Sequence, residues 1–228
     1  MWIVKLGGSL WHDPRLPRWL QMLAEVGGGR VLVVPGGAAF ADAVRSAQQQ
    51  WHFDDLTAHN MAVLAMAQTA HLLHALEPRL VLVSDEAEIL RALHAGQTAL
   101  WMPPLMLLRD APDMLTSWEV TSDSLALWLA RRQNAERLVV VKACTVPADL
   151  TFADLTERGT VDARFDQWAS EAPFPIEVVE CDEINRVRAS LLGPSFAEPG
   201  LARVLQAAKQ TRRASSGPPA RTRRKPTT

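Results

Sequence analysis

What this sequence lacks narrows its class before any motif is read. Its 228 residues include two cysteines, Cys144 and Cys181, and neither sits in a CxxC or Cys/His cluster. A structural zinc site is therefore not expected, and two cysteines alone imply no disulfide. No apolar run approaches the ~18–20 residues that a membrane helix needs. The opening Met1-Trp2-Ile3-Val4-Lys5 has no basic stretch followed by an apolar core, so it reads as a strand and not as a signal peptide. A soluble cytoplasmic protein with no membrane role is expected. The chain also lacks the Walker pattern GxxxxGK followed by Ser or Thr, the dinucleotide pattern GxGxxG and the GxSxG elbow of many hydrolases.

Hydrophobic residues make up 48% of the chain, enough to fill a sizeable core. Net charge is −1, but it is unevenly spread. Residues 207–228 hold seven of the 24 Lys/Arg and none of the 25 Asp/Glu, which leaves the body near −8. This stretch is rich in Pro, Ser and Thr and is expected to be a basic, disordered tail. It reads either as an electrostatic arm or as a solvated extension. A short basic run gives affinity without specificity, so nucleic acid is not the expected partner.

Residues 1–206 read as one domain in which strands alternate with helices. Strands are expected at Trp2–Leu6, Val31–Val34, Leu80–Ser84, Thr98–Met102, Leu138–Lys142 and Ile176–Glu180. Helices are expected at Pro14–Val26, Phe40–Gln50, Asp54–Leu76, Ala87–Ala95, Ser122–Arg132, Phe152–Arg158, Phe165–Ser170 and Glu183–Leu192. An irregular connection is expected from Pro103-Pro104 to about Trp118. The alternation implies parallel βαβ units with helices on both faces of the sheet.

Ligands of such sheets bind at the carboxyl ends of the strands, and four features fall there. Lys5-Leu6-Gly7-Gly8-Ser9 runs a strand into two glycines, where bare backbone can approach phosphate oxygens beside a fixed positive charge. Pro35-Gly36-Gly37-Ala38 opens directly into a helix, whose free N–H groups favour an anion. Thr121-Ser122-Asp123-Ser124 starts another helix, and capping would occupy one of these residues. Lys142 ends a buried strand and needs a charge partner or a ligand. Two lysines, two backbone cradles and one carboxylate suit phosphoryl transfer, which depends on positioning and positive charge.

The order KxGGS, strand-PGGA-helix, TSDSLALWLA and strand-Lys resembles the amino acid kinase superfamily over about residues 1–193. Within it, Gly36–Arg45 and Ala58-His59-Asn60-Met61-Ala62 look most similar to the aminomethylfuranyl-methyl phosphate kinases of methanofuran biosynthesis. The resemblance implies a three-layer αβα sandwich with a mainly parallel sheet, of the carbamate kinase-like kind, and ATP-dependent phosphorylation of a small phosphate or carboxylate acceptor. It implies that Lys5 and Lys142 hold the transferring group while Asp123 orients them. Gly7, Gly8, Ser9 and Ser122 would bind the ATP phosphates, and Gly36 and Gly37 would face the acceptor. Mg2+ would ride on the nucleotide, with no protein metal site, and the protein would be a homo-oligomer. A non-catalytic nucleotide or anion sensor on the same fold is the alternative.

The sequence departs from the family where Ala38 replaces a third glycine, where Ala143–Asp149 replaces a DVDG-type turn, and where Gly193-Pro194-Ser195 follows the last helix in place of Gly-Thr. Acceptor-side candidates are Asp42, Arg45 and His59. Asp42 and Arg45 share a helical face and read equally as a surface ion pair. His71 and His74 also share a face but lack further metal ligands.

Overall fold

The computed structural model describes residues 1–103 and 117–193. The expected tail at 207–228 and most of the expected irregular connection lie outside the described residues.

Among the described residues six strands form one sheet: β1 (Trp2–Leu6), β2 (Val31–Pro35), β3 (Leu80–Val83), β4 (Thr98–Trp101), β5 (Arg137–Lys142) and β6 (Ile176–Glu180). They lie in the order β3-β4-β2-β1-β5-β6, and every pairing among them is parallel. The short runs of Val, Leu and Ile in β1, β2 and β5 are buried on both faces, which is why they show no polar alternation. β1 sits in the middle. The chain first builds outward from it on one side, then returns to add β5 on the other.

Helices cover both faces, giving the expected three-layer arrangement. On one face Val4, Leu6, Val33, Val139 and Val141 pack with α1 (Leu16–Val26), the later turns of α3 (Asp55–Leu76) and α8 (Ile184–Leu192). On the other, Ile3, Leu32, Val34, Leu138 and Val140 pack with the earlier turns of α3, with α4 (Glu86–His94), α5 (Ser122–Arg132), α6 (Phe152–Glu157) and α7 (Phe165–Ser170). Helix α2 (Ala38–Trp51) runs from the end of β2 and packs on α3.

Most expected boundaries hold within two residues, and the differences have local causes. Helix α1 begins at Leu16, not Pro14, because Gly8–His12 forms a 3-10 turn and Asp13 accepts from the Arg15 backbone N–H (2.8 Å), fixing the chain just before the helix. Helix α2 begins at Ala38, two residues before the expected Phe40, with Ala38 at φ +49°.

Candidate active site

Strand alternation decides where the two lysines point. Successive side chains of a strand face opposite ways, so Ile3 and Lys5 share one side of β1, and Val140 and Lys142 share the same side of β5. The register pairs Lys5 with Val140, which sets Lys142 two residues further along the same face. The first turn of α5 lies over that position and supplies Asp123. Its Oδ1 accepts from Lys5 Nζ at 2.5 Å and its Oδ2 from Lys142 Nζ at 2.6 Å. All three side chains are buried.

One carboxylate between two ammonium groups leaves a local charge of +1. Burial pushes the Lys5 ammonium down to about 8, against the opposing pull of Asp123, and the neighbouring Lys142 charge lowers it further. Burial alone would raise the Asp123 carboxyl, but the two lysines beside it hold it below the ordinary carboxylate range. Two like charges are thus kept close by one buried carboxylate, an arrangement that an incoming anion would relieve.

Asp123 is free for this role because it does not cap its own helix. Neither do its neighbours: Thr121 occupies the cap position without a side-chain capping bond. The cap comes instead from Asp162, in the loop before α7. Its Oδ2 accepts from the backbone N–H groups of Thr121 (2.9 Å) and Ser124 (2.9 Å) and from Thr121 Oγ1 (3.1 Å), while Ser124 Oγ donates to its Oδ1. No sequence signal marked Asp162, because the contact spans about forty residues.

The two glycine corners meet main chain to main chain. Gly7 N–H extends the β1–β5 ladder by donating to Val141 O (3.0 Å), and Gly36 N–H donates to Leu6 O (2.9 Å). A Cβ on Gly36 would fall 2.4 Å from Gly8 N, so only glycine permits this approach. Gly36 therefore packs the corners together and does not itself line the cleft. The residues assigned catalytic, ATP-side or acceptor-side places do, Gly36 apart: Lys5, Gly7, Gly8, Ser9, Gly37, Asp42, Arg45, His59, Ser122, Asp123 and Lys142 surround one cleft of about 690 Å³.

On the cleft wall Arg45 donates to Asp42 (3.0 Å) and lies 4.3 Å over the Trp118 ring, whose Nε1 donates to Gln48 (2.6 Å). The Asp42–Arg45 ion pair anticipated from helical spacing thus forms, on the cleft wall. His59 is buried, its Nε2 has no hydrogen-bond partner among the described residues, and burial lowers its pKa. Sequence reasoning missed Trp11, Trp118, Gly159 and Thr160 as lining residues. It also missed a compositional signal. The chain has four lysines, and the two within the described residues are Lys5 and Lys142, every other fixed cation there being arginine.

A family model described as the amino acid kinase family matches residues 1–144. A curated 5-(aminomethyl)furan-3-yl methyl phosphate kinase of Methanocaldococcus jannaschii is 26% identical over 142 residues, covering 61% of this chain and 64% of that protein. The chain thus spans a little under two thirds of this relative's length. Among solved structures, uridylate kinase from Archaeoglobus fulgidus superposes with a TM-score of 0.61 at 14% identity, over 86% of this chain and 97% of that one. An isopentenyl phosphate kinase superposes with a TM-score of 0.56 at 14% identity, over 85% and 96%. At these identities the superpositions speak to the fold.

Proposed function

Since the chain belongs to the amino acid kinase family, we propose that it is an ATP-dependent kinase that passes the γ-phosphoryl group to a small anionic acceptor. The acceptor we favour is a phosphomonoester, of which an aminomethylfuran phosphate in methanofuran-type cofactor biosynthesis is the leading candidate. The observation that carries this reading is the Lys5–Asp123–Lys142 bridge at the base of a cleft walled by two glycine corners.

The residues divide the work simply. In the resting site Asp123 holds both ammonium groups apart and aimed at one spot. When the phosphoryl group enters, its oxygens take the lysine protons' outward bonds, and the net +1 charge offsets charge developing between donor and acceptor. An acceptor that is already an anion needs no general base, and Asp123, with both oxygens engaged, is placed to orient and not to deprotonate. Gly7, Gly8, Ser9 and Ser122 line the side assigned to the ATP phosphates, and Gly37, Asp42, Arg45 and His59 the side assigned to the acceptor.

The residues present do not make a magnesium cage. Among the described residues no group of three or more His, Cys, Asp or Glu could hold a metal. A magnesium ion on this reading arrives bound to the nucleotide's phosphates.

The same reading makes the protein a cytoplasmic homo-oligomer. Supporting it, no helix among the described residues is long and apolar enough to cross a membrane, and both cysteines are free thiols. Trp51, Leu56 and Leu64 of α2 and α3 are exposed apolar side chains suited to an interface. Sedimentation at micromolar concentration tests the assembly.

The deciding experiment for function is transfer of labelled phosphate from ATP to a panel of phosphomonoesters, nucleotides, carbamate and amino acids. One phosphomonoester is expected to be labelled well above the rest, with Lys5→Ala and Lys142→Ala inactive on it. Nucleotide binding without transfer to any of them would leave a sensor in place of a kinase.

A further inference from the structure

The geometry points to Asp162 as a positioning residue of the lysine site: from a separate segment it clamps the first turn of α5, fixes Asp123 between the two ammonium groups and brings a second carboxylate to the turn that carries Asp123. The inference takes its functional meaning from the phosphoryl-transfer reading, although its test does not require turnover.

Three observations meet at this side chain. First, Asp162 makes four hydrogen bonds, two to backbone N–H groups and two to hydroxyls, all on Thr121 and Ser124. These residues flank Asp123 by two positions before and one after, so the carboxylate grips the turn on both sides of it. Second, the segment bearing Asp162 is held from its own side: Val161 and Phe165 are buried in the core, and Val161 N–H donates to Leu155 O (3.3 Å). Arg164 adds a further tie to the chain entering α5, its N–H donating to Glu119 O (3.1 Å) and its guanidinium pairing with Glu119 (2.7 Å). Third, Asp162 acts on Lys5 by charge as well as through the helix. The charged groups bearing on Lys5 are Asp123 from α5, Lys142 from β5 and Asp162 from the loop before α7; Asp162 favours the ammonium form. His59 of α3 lines the same cleft but has its own pKa lowered by burial.

Capping alone does not call for a carboxylate. Asn, Ser and Thr cap a helix about as well as Asp. A residue chosen for its charge distinguishes itself when the cap is kept and the charge removed, and Asp162→Asn makes that change: its amide oxygen still accepts from the Thr121 and Ser124 backbone N–H groups.

The test is a lysine-selective NMR titration on the full chain labelled with 13Cε-lysine. Only four lysines are present, and the Lys5 signal is identified by its loss in Lys5→Arg. In Asp162→Asn the melting temperature should stay close to wild type while the Lys5 midpoint moves to lower pH, and Asp162→Glu should return it toward wild type. An unchanged Lys5 midpoint in a folded Asp162→Asn protein would reduce Asp162 to a helix cap and overturn the proposal. Should Asp162→Asn fail to fold, Asp162→Ser, a smaller neutral cap, takes its place. If neither variant folds, Asp162 is a folding determinant and the charge-setting role is rejected. Lack of transfer activity in the wild type would count against the kinase reading and leave this titration unaffected.

Discussion

Lys5 works against the stability of the fold that holds it. Its ammonium is lowered from 10.5 to about 8 by burial, which corresponds to about 3 kcal/mol of destabilisation while it stays charged. Between pH 8 and the ordinary lysine range the unfolded chain binds a proton that the folded chain has released. For this residue, then, stability rises with pH across that window and is lowest below it. On the proposed kinase reading function runs the other way, because an uncharged amine would no longer stabilise a phosphoryl group. On that reading kcat/KM for ATP, which reports groups of the free enzyme, should fall as pH rises through about 8. Lys5→Met should lower kcat by at least about 10²–10³-fold yet melt at or above the wild-type temperature near pH 7. A melt several degrees lower would show that Lys5 is held for structure. The pairing of two lysines on one carboxylate was legible only in part. KxGGS and strand-Lys marked the ends, but their convergence depends on a β1–β5 register that no local pattern encodes.

At the scale of the element, the informative position is the start of α2. Ala38 sits at φ +49°, in the left-handed region, where a glycine would sit without strain. Ala38→Gly should therefore stabilise the protein by about 1 kcal/mol, read as a melting temperature raised by roughly 2–4 °C. A fall would mean that the methyl's contacts outweigh the backbone strain. Gly36→Ala should do the opposite. Its new methyl would overlap Gly8 N, and the loss should be at least about 2 kcal/mol, with nucleotide binding weakened because the corner carrying Gly7 and Gly8 must move. Other elements show how far pattern reaches. α5, β1 and β6 were readable to the residue, since each is bounded by turn or capping signals. α3 was readable as a helix but not as a face: it is apolar all round, so Leu56 and Leu64 lie exposed while Ala58, His59 and Val63 are buried. Only packing selects between them.

For the molecule as a whole, a cleft that binds one ligand tightly must report it in global stability. If ATP fills the cleft, a concentration one hundred times its Kd adds about 2.7 kcal/mol, a rise in melting temperature of about 5–10 °C. Lys142→Ala should abolish most of that rise without changing the melt of the free protein by a comparable amount. A rise that survives intact in Lys142→Ala would place the nucleotide elsewhere.

The position of β1 at the centre of the sheet also has a kinetic consequence. Its second edge is closed by β5, more than 130 residues later in the chain. During synthesis the first half can collapse into β3-β4-β2-β1 while β1 still offers a bare row of peptide groups to any passing strand. A nascent half-sheet can therefore emerge with one sticky side, and the arrival of β5 both seals that side and brings the second ammonium to the first. Birth of the binding site and loss of the aggregation hazard are a single event.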